Sequence, residues 1–396
     1  MTNIAILGFG VVGGGVADLL TRNKKECEAL GKDSINIKYI LDLRDFPESP
    51  FADRVVHDYN IILADSEVSV VIETMGGSHP AYEFTVSALK AGKSVITSNK
   101  EVVANFGEEF LALAEEHGVS YRFEASVGGG IPVISPLIHS IGQNKLCEVR
   151  GILNGTTNYI LTQMFTFGKS FETALAEAQA QGYAERNPDA DILGTDACRK
   201  IAILTALATG KLISTDRIHT EGITAVRSAD VSCAAKLGCT VKLVGRCIAD
   251  GDMPYVMVAP FLVPRESALS GVSGVYNAVE VVAEPLGNVM FYGRGAGAGA
   301  TASAVVGDLM ETMRLGGSGM PAFERCDAIR ELSTLASRHY LAFCAEERAR
   351  VLAVFGSSVT QIDSPECAIL TEELTEAELA EKLSDLTPIS HIRLLA

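Results

Sequence analysis

The sequence predicts an α/β protein that opens on a parallel sheet and continues into an α+β domain. Three observations carry this expectation. The apolar run Asn3-Ile-Ala-Ile-Leu7 meets the glycine-rich turn Gly8-Phe-Gly10-Val-Val-Gly13, and helical periodicity starts at once through Val12, Val16, Leu19 and Leu20. Strand and helix patterns then alternate through residues 1–125, which requires crossover connections and therefore parallel strands. Residues 126–295 carry a second set of strands and helices with no new Gly-x-Gly-x-x-Gly.

Each element of the first region follows from its own pattern. Strands are expected at Asn3–Leu7, Ile35–Leu41, Val68–Glu73, Ser94–Thr97 and Ser120–Phe123, and helices at Val11–Asn23, Ala81–Ala91 and Gly107–His117. A glycine turn between a first strand and a first helix is the setting of a Rossmann-type dinucleotide site. The first glycine makes the turn, the second admits the pyrophosphate, and the third lets helix pack on strand. The helix N-terminus then presents N–H groups and partial positive charge to the phosphates. Ligands of such sheets lie beyond the carboxyl ends of the strands. Those ends hold Gly8–Gly13, Asp42 and Arg44, Thr74-Met-Gly-Gly77, Ser98-Asn-Lys100 and Glu124. A carboxylate after the second strand suits the ribose of NAD and an arginine suits the 2′-phosphate of NADP, and here both are present.

Further along, Gly128-Gly129-Gly130-Ile-Pro132 marks the junction between domains. Its glycines permit positive φ, either as a hinge or as a turn whose carbonyls ligate a hard monovalent cation. Tyr292-Gly-Arg-Gly-Ala-Gly297-Ala-Gly299 is a second glycine-rich turn, leading into a helical run at Thr301–Met313. That return is expected to complete the nucleotide-binding domain with residues 295–315. Gly316–Pro321 reads as a linker.

Between these turns, Glu185-Arg-Asn-Pro-Asp189-Ala-Asp191-Ile-Leu-Gly-Thr-Asp196-Ala-Cys-Arg-Lys200 gathers four carboxylates and a lysine where a loop enters the predicted helix Thr195–Thr209. Asp196 and Lys200 are four apart on that helix, so they share a face and can pair. A lysine held against carboxylates can donate a proton to a carbonyl oxygen, while the other carboxylates can hold a substrate ammonium group. Taken alone, the pattern also fits a solvated helix start with an ordinary ion pair.

Composition narrows the classes. The 396 residues are long enough for two or three domains, and a balance of 47% hydrophobic to 21% charged residues is that of a globular protein. A net charge of −16, with no basic cluster, argues against nucleic-acid or anionic-membrane partners. Nine cysteines without a Cys-x-x-Cys pair suggest reduced thiols in the cytoplasm. Neither a signal peptide nor an apolar run near the ~18 residues of a membrane span is expected. Seven histidines without ligand spacing make a zinc site unexpected.

Six segments together resemble homoserine dehydrogenase. They are Gly8-Phe-Gly-Val-Val-Gly13, Ser98-Asn-Lys100, Glu124-Ala-Ser-Val-Gly-Gly-Gly-Ile-Pro132, Gly151-Ile-Leu-Asn-Gly-Thr-Thr-Asn-Tyr-Ile160, Gly182-Tyr-Ala-Glu185 and Asp191-Ile-Leu-Gly-Thr-Asp196-Ala-Cys-Arg-Lys200. The likeness runs in order through residues 1 to about 312. It implies NAD(P)-dependent interconversion of L-homoserine and L-aspartate 4-semialdehyde, on the route to threonine, methionine and isoleucine. It implies Lys200 as the catalytic acid/base, with Lys100 the other candidate. Glu185, Asp191, Asp196, Thr156, Gly182 and Tyr183 are implied to bind substrate. Gly8, Phe9, Gly10, Val11, Val12, Gly13, Arg44, Thr74, Ser98, Lys100, Gly182 and Gly297 are implied to bind NADP or NAD. A sodium ion is implied at Glu124, Val127, Gly129 and Ile131, and a homodimer or tetramer as the assembly. Two positions depart from the family pattern, Asn187 before Pro188 and Ala300 in the glycine turn, and neither removes a proposed catalytic group.

Residues 330–396 weakly resemble an ACT domain, a small α+β module, with Arg338–Cys344 as first strand and Glu376–Leu383 as last helix. Glu346-Glu-Arg-Ala-Arg-Val351 lacks the glycine of the usual effector turn. Weak or absent inhibition by L-threonine is therefore expected, along with activity that survives a cut near Pro321. The expected domains are thus 1–125, 126–295 and 330–396. Two other readings compete. A phosphorylating semialdehyde dehydrogenase needs an activated cysteine, and neither Cys198 nor Cys147 has a neighbouring histidine. A nucleotide sensor without catalysis would not need the carboxylate–lysine set, which is intact.

Overall fold

β1 (Thr2–Leu7) sits inside a six-stranded parallel sheet, and Ile4, Ala5, Ile6 and Leu7 are all buried. An unbroken apolar run is what burial on both faces requires. The computed structural model describes residues 1–249, 251, 253–316 and 319–396. The other strands of this sheet are β2 (Ile35–Leu41), β3 (Val55–Val56), β4 (Val68–Glu73), β5 (Ser94–Thr97) and β6 (Tyr121–Arg122), in the order β3-β2-β1-β4-β5-β6. This order, reversing direction at β1, is the doubly wound arrangement that the alternating pattern predicts.

Local chemistry explains where helices begin. The helix expected from Gly107 starts instead at Lys100, because Asn99 caps it by accepting from Glu101 N and Val102 N. Helices at Lys24–Gly31 and Tyr59–Ala64, and the two-residue β3, were too short to show a period in the sequence. The helix Ala298–Leu315 packs on Val11–Arg22 so closely that a Cβ on Gly15 would meet Ala298 O at 3.1 Å. Its Ala302, Val305 and Leu309 share one core with Ile4, Val16 and Leu20.

The chain folds as two units. The first comprises Met1–Lys145, Ala202–Thr215 and Gly293–Asp327, and the second Leu146–Ile201, Asp216–Tyr292 and Ala328–Ala396. The remaining strands are β7 (Lys145–Ile152), β8 (Lys211–Leu212), β9 (His219–Thr220), β10 (Cys239–Ile248), β11 (Tyr255–Pro264), β12 (Tyr276–Glu284), β13 (Gly287–Arg294), β14 (Glu324–Arg325), β15 (Ala336–Phe343), β16 (Thr360–Ile362), β17 (Cys367–Thr375) and β18 (Ser390–Leu394). In the first unit β8 pairs with β14. The second is built on a mixed sheet in the order β13-β12-β7-β10-β11-β18-β15-β17-β16, with β9 also on β11.

The C-terminal segment differs from a separable module. Its order is strand, helix (Arg348–Phe355), two strands, helix (Glu376–Lys382), strand. β18 continues the neighbouring sheet, however, by pairing in parallel with β11 at Phe261↔Arg393 and Leu262↔Leu394. Leu335 and Leu395 lie in one core with Ile152, Val244 and Phe261, while Leu341, Phe343, Val351, Ile369 and Leu379 form an adjoining core. Of the linker expected at Gly316–Pro321, Gly317 and Ser318 lie outside the described residues.

Candidate active site

The helix Thr195–Thr209 carries Asp196 and Lys200 one turn apart, and both are buried, at 4% and 7% exposure. Burial of a lysine demands partners. Its Nζ donates to Asp196 Oδ2 and to Leu153 O, both at 2.7 Å. Asn154 then joins this pair to a second carboxylate, donating from Nδ2 to Asp196 Oδ2 at 2.9 Å and to Asp191 Oδ1 at 2.7 Å. The Asn154 Oδ1 accepts from Thr157 N and so caps the helix Gly155–Phe167, which locks the amide orientation. Burial pushes the Asp191 carboxyl up, an effect that Asn154 opposes and the charge on Asp196 reinforces. Thr156, one residue into that helix, donates to Tyr183 O at 2.7 Å.

The structure brings Lys200, Asp196, Asp191 and Thr156 into this neighbourhood. Glu185 lies on an exposed loop, where Gln179 Nε2 holds its backbone carbonyl at 3.2 Å. Gly182 turns with φ +73°, and the Tyr183 ring lies 5.1 Å from that of Tyr159. Burial pushes the Cys198 thiol up, the opposite of what a thioester-forming nucleophile needs.

In the first unit the glycine turn is as tight as its spacing implies. Gly8 has φ +91°, and a Cβ on Gly13 would fall 2.0 Å from Gly8 O, whereas Gly10 faces open space. The Thr74 hydroxyl spans Leu7 O at 3.0 Å and Gly8 O at 2.8 Å, tying the turn to the end of β4. Phe9 N donates to Asp42 Oδ2 at 2.8 Å. Arg44 grips the same carboxylate through Nε at 3.0 Å and Nη2 at 3.1 Å, which with the backbone donors lowers Asp42 to about 2. A cavity of about 440 Å³ lies among Gly8, Asp42, Arg44, His57, Met75 and Phe84. Its walls suit an adenosine, with apolar side chains for the base and Asp42 and Arg44 for the ribose. Val11 is exposed and Val12 packs on the core. Lys100 opens its helix, Ser98 N reaches Glu73 O at 3.3 Å, and Gly297, with φ +119°, precedes Ala298–Leu315.

The junction turn has Gly128 at φ +75° and Gly129 at φ +59°. A Cβ on Gly129 would meet Gly295 O at 2.5 Å, so backbone packs directly on backbone here. Val127 and Ile131 are buried. The Glu124 carboxylate accepts from Val133 N, Ile134 N and Ser135 N at 2.7, 2.9 and 2.6 Å, so its side chain serves a helix start. Any cation in this turn would therefore take main-chain carbonyls.

Two residues escaped the sequence reading. Asn154 lies inside the family-like segment Gly151–Ile160 but carries no role of its own in the sequence. Glu73 follows the buried apolar run Val70-Val71-Ile72 at the end of β4, which is the available signal. It is buried, accepts from Thr97 Oγ1 at 2.5 Å and Met75 N at 2.7 Å, and burial pushes it up to about 7.

A family model described as homoserine dehydrogenase matches residues 132–310, and another, described as homoserine dehydrogenase, NAD binding domain, matches 8–124. Homoserine dehydrogenase of Neisseria gonorrhoeae is 35% identical over 99% of this chain and 98% of its own. The crystal structure of a homoserine dehydrogenase from Thiobacillus denitrificans superposes with a TM-score of 0.90 at 32% identity, covering 100% of this chain and 98% of that one. A hyperthermophilic archaeal homoserine dehydrogenase mutant in complex with NADPH gives a TM-score of 0.69 at 27% identity, over 80% and 99% of the two chains.

Proposed function

This chain belongs to the homoserine dehydrogenase family, NAD(P)-dependent oxidoreductases acting on a CH–OH group, and on that premise we propose that Lys200 is the acid/base of the reaction. The observation that carries the assignment is the Lys200–Asp196–Asn154–Asp191 network. When bound, the nicotinamide supplies or accepts the hydride, and this chain's residues orient the substrate and manage one proton. The Lys200 ammonium stabilises the oxygen of L-aspartate 4-semialdehyde as it gains negative charge, then protonates it to give L-homoserine. Asp196 and Leu153 O fix the position of Nζ. Asp191, Asp196, Thr156 and the Gly182–Glu185 loop form the substrate-binding set, with Glu185 closing on the substrate ammonium. Lys100 is the other candidate for the proton donor.

The Rossmann-type unit supplies the cofactor contacts, and the Arg44 fork on Asp42 supports use of NADP(H) as well as NAD(H). The NADPH in the archaeal relative agrees with that reading. Main-chain carbonyls of Glu124, Val127, Gly129 and Ile131 would hold a sodium ion, whose charge would rigidify the junction turn. The exposed Met290 and Tyr292 on the edge strand β13 support association with a second copy. Cysteine usage supports a cytoplasmic setting. The βαββαβ order of 336–394 supports an ACT-like reading. Following reduced-nicotinamide absorbance with homoserine and each cofactor in turn tests the function. Turnover with neither NAD nor NADP would sink it.

A further inference from the structure

Two imidazoles and a carboxylate meet in the second unit, on elements that the proposed reaction does not use. We propose that His339, Glu376 and His391 bind one divalent ion of the zinc class, clamping β15, β18 and the helix Glu376–Lys382 together. β15 and β18 pair antiparallel with His339↔Arg393 and Leu341↔His391, which sets the two histidines diagonally across adjacent strands. His339 Nδ1 faces His391 Nε2 at 3.0 Å, and potential ligand atoms of the three residues all lie within 4.8 Å of one another.

The hydrogen bonds prepare His339 as a ligand. Its Nε2 faces Leu374 O at 3.1 Å, and a carbonyl can only accept, so that nitrogen carries the proton and Nδ1 presents a lone pair. A backbone carbonyl behind a histidine ring is the usual outer partner of a metal-bound imidazole. His391 Nε2 donates its proton to His339 Nδ1 when no ion is bound, and metal uptake moves that proton to His391 Nδ1.

Nearby charges allow a dication. Arg393 donates from Nε to Glu376 Oε1 at 2.5 Å and from Nη1 to Glu221 Oε1 at 2.8 Å, so two carboxylates offset one guanidinium. His219 also sits on Glu221, at 2.5 Å. His391 and Glu376 are only half-buried, which leaves a path for an ion. Two nitrogens and a carboxylate oxygen suit Zn²⁺, Co²⁺ or Ni²⁺ better than Mg²⁺ or Ca²⁺, with water completing a tetrahedral set.

Full-length protein stripped by a chelator and titrated with Co²⁺ provides the test. The expected result is one equivalent bound, visible d–d absorption of a tetrahedral ion, no thiolate charge-transfer band, and displacement by Zn²⁺. Affinity should drop by about ten-fold or more in both His391→Gln and Glu376→Gln. The first variant keeps an amide donor toward His339 and the second keeps an acceptor for Arg393, and homoserine oxidation at the wild-type rate confirms that each folds. Absence of binding at one equivalent, a thiolate band, or unchanged affinity in the two variants would overturn the site.

Discussion

Lys200 Nζ is held inside the protein by Asp196 and a backbone carbonyl, and this dictates what its removal does. Lys200→Ala should lower kcat on the order of 10²–10⁴-fold, the range of general acid–base groups, and leave cofactor affinity almost unchanged. Stopped-flow hydride transfer at wild-type speed in that variant would eliminate Lys200 as the proton donor. Arg44 is bound to Asp42 but exposed, so it can exchange that partner for a phosphate. Arg44→Ala should weaken NADP(H) and spare NAD(H), whereas equal losses would assign the side chain to adenine stacking. Glu73 links stability to pH. Its folded value, about 7, lies above the ordinary 4.5, so its contribution is complete below pH 4.5 and is lost as pH rises through 7. The difference amounts to something on the order of 3 kcal/mol. Glu73→Gln should therefore raise Tm at pH 8 and change it little at pH 4.5, and thermal melts across that range decide the matter.

At the scale of elements, the strand–turn–helix at the amino end depends on one missing side chain. Gly13→Ala would put a Cβ against Gly8 O, which is backbone and cannot rotate away. Binding of NAD(H) and NADP(H) should fall together, with a lower Tm. Selective loss of one cofactor would contradict a turn-packing role. This turn was legible because its chemistry is local: a strand end, three glycines and a helix start lie within a few residues. The helix Lys100–Glu116 begins one to two turns before its periodic pattern for the converse reason. Its first turn depends on the Asn99 cap, whose own amide donates to Gly77 O at 2.7 Å, a partner distant in sequence.

At the scale of the whole chain, the largest departure concerns the C-terminus. The expectation that activity survives a cut near Pro321 treats residues 330–396 as an appended module. β18 instead pairs with β11, Leu335 and Leu395 fill the neighbouring core, and Arg150 donates to the carbonyl of Ala396. Removing 328–396 should strip that core, expose the β11 edge and yield an insoluble or inactive protein. A soluble, active truncation would show that the second unit closes without it. Threonine titration into the intact enzyme remains the test of effector binding, with weak or no inhibition expected.

The sequence by itself determined the parallel sheet, the glycine turn, the Asp196–Lys200 pair and the family, because each is written in short spacings or contiguous motifs. Tertiary structure alone decided that Asn154 joins two carboxylates, that His339 faces His391, and that the last strand completes a sheet begun far upstream. Those contacts bring together residues separated by tens to more than a hundred positions. Local periodicity carries no record of such closures, since they arise only when buried strands must satisfy their backbone hydrogen bonds and apolar faces with whatever element lies beside them.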